Sequence, residues 1–374
     1  MNALLLGYYG AKNLGDDLML YCLLQWLKKQ SIEVTVISEN PKDTKERFHI
    51  DAIQNAPLFG EWGWYSSWFK GKALALIRSL WNADALIVGG GDLIRDDCGW
   101  RVFFYTMEKL IVAMILGKKI FLVNTGIGEP KTWYGSILIK MVLKKCGNII
   151  VRDERSVKVC RRFGIENCRL LPDIVTYFSD FYPVSGDKQT PEGLPSNPYL
   201  LVCLRANAEE YGRFKDPARL TKNLARLLDE YVAQTSHAIV FLPFQSTNEN
   251  DDNDMHAKVR EEMKTGSSVR ILEWPEDFET LRRIFFCCEA MFAMRLHALV
   301  LALNFKKPCV GLSYDAKSDE LCGRFKIPEI GGLKDGNKAR TEENSIFNLL
   351  NGYASALIQP NPWTVCVLTG KRAA

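Results

Sequence analysis

The sequence predicts two doubly wound α/β domains in series, and three observations carry that prediction. Short apolar strands rich in Val, Ile and Leu alternate with amphipathic helices in the first half; a Pro- and Gly-rich segment interrupts the alternation; the alternation then restarts. Strands buried on both faces read as continuous apolar runs, and the helices between them cover both faces of a parallel sheet. In order, the first half gives strands at Ala3–Leu6, Glu33–Ser38, Ala85–Val88, Lys119–Asn124, Asn148–Val151 and Arg169–Leu171. Its helices are Leu18–Lys29, Arg101–Leu116, Tyr134–Lys145 and Glu154–Phe163. Tyr182–Pro198 holds four prolines and two glycines, a linker composition. Beyond it come strands Tyr199–Leu204, Ala238–Phe241, Ala290–Ala293 and Cys309–Leu312, with helices Pro217–Tyr231, Asn253–Met263, Phe278–Phe286 and Leu296–Asn304. The expected division is a first domain over 1–182, a linker over 183–198, a second domain over 199–350 and a tail over 351–374, broken by Pro360 and Pro362.

Composition excludes several classes. The 374 residues, 47% hydrophobic and 25% charged, suffice for two cores and do not describe a disordered or fibrous chain. A net charge of +4, from 48 basic against 44 acidic side chains, provides no broad field for a nucleic-acid duplex. Eleven cysteines without a C-x-x-C pair read as reduced core residues rather than a disulfide framework or zinc site. Met1–Leu6 lacks the basic n-region of a signal peptide, and the longest apolar runs, Leu110–Gly117 and Ile284–Met294, are too short to span a bilayer. A cytoplasmic protein is expected, with the inner face of the membrane open as its place of action.

In open α/β sheets, ligands bind beyond the carboxyl ends of the strands. Four loops lie there in the first domain: Gly7–Asp17, Gly89–Asp92, Thr125–Pro130 and Arg152–Ser156. Their glycines allow tight turns or close approach of backbone to ligand, but Gly7, Gly10 and Gly15 do not match the dinucleotide fingerprint. In the second domain, Arg295 and His297 sit where a buried strand turns into a helix, and Lys317 follows the next strand. A helix N-terminus favours anions; Arg adds a planar fork for phosphate or carboxylate, and His a group that exchanges protons near neutrality. An anion site at Arg295, His297 and Lys317 is the reading preferred to a hydrogen-bonded core histidine. Asp153, Asp315 and Asp319 read as cap or turn residues, and the acidic run Asn250–Asp254 as a solvated loop and helix start.

Five motifs then carry a resemblance: G-Y-Y-G-x-x-N-x-G-D-D at Gly7–Asp17, G-G-G-D at Gly89–Asp92, R-D-x-x-S at Arg152–Ser156, A-M-R-L-H-A-L at Ala293–Leu299 and S-Y-D-x-K at Ser313–Lys317. In this order and spacing they resemble the polysaccharide pyruvyl transferase family, from the first strand to about residue 325. The resemblance implies two Rossmann-like domains facing a cleft, similar to GT-B glycosyltransferases, and transfer of the enolpyruvyl group of phosphoenolpyruvate to two hydroxyls of one sugar. The product is a cyclic pyruvate ketal on a bacterial cell-surface polysaccharide or its lipid-linked precursor, with release of phosphate. Phosphoenolpyruvate is then a co-substrate, and no cofactor or metal is implied. Its phosphate and carboxylate call for cations: Arg295, His297 and Lys317, with Arg152 from the first domain and Arg205 at the end of the strand opening the second. His297 is the candidate acid for C3 or, alternatively, a phosphate-binding group. Asp16 or Asp17 is the candidate base for the sugar hydroxyl, with Asp92 behind them and Gly10 and Gly91 lining the acceptor side. The rival readings are a nucleotide-sugar glycosyltransferase of the same fold and an inactive polysaccharide-binding protein. Finally, Phe59–Trp81 interleaves Trp62, Trp64, Trp68 and Trp81 with Lys70, Lys72 and Arg78, a composition suited to peripheral contact with a membrane, to sugar stacking, or to packing under a long loop.

Overall fold

The structure, a computed structural model, describes residues 1–59, 64–182, 193–208, 212–214, 216–247, 249–266, 269–275, 277–330 and 345–352. Trp62, most of the expected linker and the tail beyond 352 lie outside the described residues, as does the side chain of Trp64.

The chain divides into two compact units, between Tyr177 and Phe178. The first holds seven strands, β1 (Asn2–Leu6), β2 (Glu33–Ser38), β3 (Ala52–Gln54), β4 (Ala85–Gly89), β5 (Lys119–Val123), β6 (Cys146–Val151) and β7 (Cys168–Leu170). They form one sheet in the order β3-β2-β1-β4-β5-β6-β7, and every pairing is parallel. The order reverses direction between β1 and β4. Because β-helix-β crossovers are right-handed, helices Leu14–Lys29 and Pro41–Phe48 cover one face, and Lys72–Asn82, Trp100–Ile115 and Trp133–Lys145 cover the other. Alternate strand residues obey this division: Leu4, Leu6, Leu86, Val88 and Leu122 pack into one core with Leu76, Leu80, Phe103, Met107 and Ile139 of the second helix group.

The second unit repeats the plan. β8 (Tyr199–Cys203), β9 (Ala238–Phe241), β12 (Val269–Ile271), β13 (Ala290–Ala293) and β14 (Cys309–Gly311) form a parallel sheet in the order β12-β9-β8-β13-β14, reversing between β8 and β13. β10 (Ser246–Thr247) and β11 (Asn250–Asp251) form a small antiparallel hairpin after β9. Leu200, Val202 and Leu204 pack with Leu220, Leu224, Leu228 and Tyr231 of the helix Pro217–Thr235 in its core. The short helix Phe178–Phe181 belongs to this unit: the Ser179 amide donates to Asn304 Oδ1 at 3.2 Å, and the Phe178 ring meets Phe278 and Phe305. The fold class is therefore the one expected, α/β with two Rossmann-like domains. Among the described residues no helix is long and apolar enough to cross a membrane.

Candidate functional site

In the first unit the sheet reverses at β1 and β4, and the loops leaving these strands are locked together. Tyr9, fully buried, donates its hydroxyl to the Gly89 carbonyl at 2.6 Å. Gly10 has φ +75°, and a Cβ there would run into Ser38 Oγ and stand 2.7 Å from the Asn40 amide nitrogen, so both geometry and space require glycine. Asn13 caps the helix Leu14–Lys29, accepting from the amides of Gly15 and Asp16 at 3.0 and 3.3 Å. Asp16 and Asp17 thus occupy its first turn, and consecutive helical residues point about 100° apart.

The two carboxylates therefore part company. Asp16 is half-buried, with Oδ1 3.8 Å from where a Gly91 Cβ would stand, so it faces the loop after β4. Asp17 is 1% exposed and pairs with Arg47 Nη1 at 2.6 Å. Burial outweighs Arg47 and pushes its pKa up to about 6. Asp17, expected as an alternative base, is an interior ion-pair partner of Arg47. Half-exposed Tyr8 lies beside Asp16 and Glu39: burial first, then these two charges, raise its pKa. Glu39, which the sequence did not single out, accepts from Asn55 Nδ2 at 2.8 Å and Tyr105 Oη at 3.3 Å.

Asp92 and Arg152 also differ from expectation. The Asp92 carboxylate is buried among three guanidinium groups, Arg155 at 2.8 Å, Arg152 at 3.3 Å and Arg95 at 3.8 Å. A Cβ on Gly126 would run into Asp92 Oδ1, so the loop after β5 depends on glycine to admit this carboxylate. Arg152 bridges Asp92 to Asp173, 2.8 Å away, and its side chain is buried. Burial opposes its charge, but Asp173, Asp92 and Asp153 outweigh that and raise its pKa. The geometry makes Asp92 and Arg152 members of a compensated interior network, in which Arg155 is the more exposed cation. Asp153 is the cap expected, accepting from the Ser156 amide at 2.7 Å.

In the second unit β8 and β13 pair with Cys203 opposite Ala293, and the Met294 amide continues the ladder to the Cys203 carbonyl. Arg205 and Arg295 thus leave adjacent strands at matching positions, at the point where strand order reverses. Arg295 occupies the N-cap position of the helix Leu296–Asn304, placing His297, half-buried, in its first turn. β14 pairs with β13, and its loop leads into the helix Ala316–Phe325, which Asp315 caps from its side chain to the Ser318 amide at 2.9 Å. Half-buried Lys317 is in the first turn of that helix, which packs against Leu296–Asn304. Arg205 lies over the Tyr314 ring, 4.9 Å from its centroid, with Nη1 3.5 Å from the hydroxyl. Arg205, Arg295, His297 and Lys317 are therefore gathered on three neighbouring strand ends. Asp319 is neither cap nor turn: it takes a two-pronged ion pair from Arg213 and a hydrogen bond from Ser313 Oγ.

The group that sequence reasoning missed is Asp252. Far from lying on a solvated acidic run, it is 0% exposed. Oδ2 accepts from the amides of Phe244 and Gln245, both at 3.0 Å, and from Arg295 Nε at 2.9 Å; Oδ1 accepts from the Ala206 amide at 3.1 Å and from Arg295 Nη2. One carboxylate so ties together the loops after β8, β9 and β13 and fixes the Arg295 guanidinium, leaving Nη1 turned away from it. One turn along, buried His256 accepts from the Leu204 amide through Nε2 at 3.2 Å, and its Nδ1 lies 2.8 Å from Asn253 Oδ1, which places the proton on Nδ1. Burial pushes its pKa down to about 4, Asp252 opposing. The discoverable signal was Asp252 followed by His256 four residues on, both on the inner side of one helix. Among the described residues, no group of three or more His, Cys, Asp or Glu side chains is placed to hold a metal ion.

Comparison with known proteins adds two findings. A family model described as polysaccharide pyruvyl transferase matches residues 13–316. Among solved structures, the UDP-GlcNAc 2-epimerase of Methanocaldococcus jannaschii is similar at 14% identity and a TM-score of 0.65, covering 96% of this chain and 95% of that one. The UDP-GlcNAc 2-epimerases of Neisseria meningitidis, bound to UDP-GlcNAc, and of Rickettsia bellii are similar at 12% identity and a TM-score of 0.58, covering 94% and 95% of this chain and 90% and 88% of theirs. At such identities the likeness is one of fold, the two-domain GT-B type.

Proposed function

This chain belongs to the polysaccharide pyruvyl transferase family, matched over residues 13–316, and from that premise we propose that it transfers the pyruvyl group of phosphoenolpyruvate to two hydroxyls of one sugar. The acceptor is a bacterial cell-surface polysaccharide or its precursor, and the products are a cyclic ketal and phosphate. The observation that supports this most is the set Arg205, Arg295, His297 and Lys317 on the strand ends where the second sheet reverses. A small donor carrying both a phosphate and a carboxylate needs several fixed cations, and Arg295 is fixed by Asp252 before any ligand arrives.

In this reading His297 protonates C3 of the donor, and the cation developing at C2 accepts a sugar oxygen whose proton passes to Asp16. The C2–oxygen bond to phosphate then breaks, with Arg295 and Lys317 compensating the charge on the leaving group. The second hydroxyl closes the ring. Of the two hydroxyl protons, one is balanced by that gained at C3 and the other leaves on phosphate.

The test is thermal stabilisation by phosphoenolpyruvate against a panel of UDP- and GDP-sugars. A ligand bound only by the folded protein, at a hundred times its Kd, adds about 2.7 kcal/mol. The expected result is a rise in Tm with phosphoenolpyruvate alone, lost in Arg295→Ala and in Lys317→Gln, the second of which leaves the Asp252 bonds intact. A rise with a nucleotide sugar alone would overturn the reading in favour of glycosyl transfer.

A further inference from the structure

Among the described residues, most of the large apolar side chains that stand exposed belong to one group of helices. Phe69 is 88% exposed, Trp133 and Ile115 77%, and Trp81 66%; Tyr65, Leu74, Trp100, Val102 and Ile137 are each more than half exposed. All belong to four consecutive helices, Trp64–Phe69, Lys72–Asn82, Trp100–Ile115 and Trp133–Lys145. Right-handed crossovers put the last three on one face of the first sheet, and each helix packs against the next. Apart from these helices and Phe59 just before them, the described residues expose only Met1, Tyr8 and Phe286 of this kind.

Charge on this layer is one-sided. The four helices contain one acidic residue, Glu108, which is buried and holds the amides of Leu58 and Phe59 at 2.8 and 2.7 Å. Against it stand the exposed Lys72, Arg78, Arg101, Lys140, Lys144 and Lys145, with Lys70 between the first two helices. Isolated exposed apolar residues need no explanation, but a layer of them with exclusively basic surface charge does.

We propose that this helical layer docks on an anionic lipid surface, its Trp, Tyr and Phe rings entering the headgroup region while the lysines and arginines meet lipid phosphates. The one-signed charge selects the occupant: a second copy of the same face would set like charges against each other, whereas an anionic bilayer complements them. The surface extends the sequence expectation for Trp62–Trp81 to the two helices that follow it in the chain. It stands independently of the donor chemistry of the second unit.

The full chain should co-sediment with vesicles of phosphatidylcholine containing about a third phosphatidylglycerol, and at least tenfold less with phosphatidylcholine alone. Each basic residue at an anionic surface is worth about fivefold in affinity, so Lys72→Glu/Lys140→Glu should weaken binding more than tenfold. Phe69→Ser/Trp133→Ser, at exposed positions, should weaken it comparably, and both variants should keep the parent Tm. Equal binding to both vesicle types would overturn the charge argument. Failure to bind either, or retention of full binding by both variants, would overturn the proposal and leave the layer to a protein partner.

Discussion

Replacing Asp252 by Asn keeps the shape of the side chain and removes its charge, and the cost follows from the bonds the carboxylate makes. Five donors converge on it: the amides of Ala206, Phe244 and Gln245, and two N–H groups of Arg295. Whichever way the new amide is turned, its NH₂ faces at least two of these donors, and each buried donor left unsatisfied costs about 1–3 kcal/mol. Arg295 meanwhile keeps its charge at a buried position, and breaking a buried pair from one side costs about 3–5 kcal/mol. These descriptions overlap rather than add, and a loss of about 4 kcal/mol is expected. For a unit of this size that is a fall of roughly 8–16 °C in Tm. Calorimetry should show the fall in the second unit's transition, and phosphoenolpyruvate should no longer raise Tm because the guanidinium is no longer aimed. Asp252→Asn/Arg295→Met, which removes the stranded charge as well, should recover about 2 kcal/mol while remaining unable to bind the donor. A loss below about 1 kcal/mol in Asp252→Asn, with donor stabilisation intact, would refute the reasoning.

Asp16→Asn should leave stabilisation by phosphoenolpyruvate unchanged and lower kcat by about 10²–10³, the scale of a lost general base, whereas Asp17→Asn should leave kcat within a few-fold; equal losses in a ketal-formation assay would return Asp17 to the chemistry. His256 has a folded pKa of about 4 against an ordinary value near 6.5, so the unfolded chain takes up its proton first as pH falls. Its contribution is full above pH 6.5 and is lost on the way down to pH 4, about 3 kcal/mol in all; His256→Gln should flatten the slope of Tm against pH in that window, and an unaltered slope would contradict the assignment. Arg152→Gln should destabilise the first unit by about 3 kcal/mol, because Asp92 and Asp173 are left facing each other without their bridge, yet still be stabilised by phosphoenolpyruvate. An unchanged Tm with donor stabilisation lost would restore Arg152 to the donor.

The parts of the fold legible in the sequence are those in which local pattern and burial agree. β2, β9, β13 and the helix Leu296–Asn304 fall on their expected bounds because each carries an apolar run or alternation strong enough to mark it locally. What was not legible had little local signal. The helix Pro41–Phe48 buries only Thr44, so no apolar stripe marks it; its evidence is the Asn40 cap and the proline after it. β3 and β12 are three-residue edge strands, too short for a period to show. The helix Ala316–Phe325, whose first residues read as a loop motif, buries only Ser318 and Cys322. Strand order depends on pairings between distant segments and is not written in any window.

The site divides in the same way. Arg295, His297 and Lys317 announce themselves locally, as basic residues at strand-to-helix turns, and the structure gathers them. Their counter-charges do not: Asp92 lies sixty residues from Arg152, and Asp252 forty-three from Arg295. Asp252 is separated from half-buried Asp251 by a single position, and only the helix start turns it inward to the amides of three loops. This difference in counter-charge is what distinguishes two sheets of similar plan. In the first unit Arg152, expected to face a ligand, is spread between two aspartates, and Arg155 shares one of them. In the second, the carboxylate facing Arg295 also takes three backbone amides, so it constrains the guanidinium while its own charge is drawn toward the loops, and Arg205 rests on an aromatic face. In the proposed reading, donor recognition therefore belongs to the second unit's strand ends, where Asp252 shares its charge between Arg295 and three backbone amides.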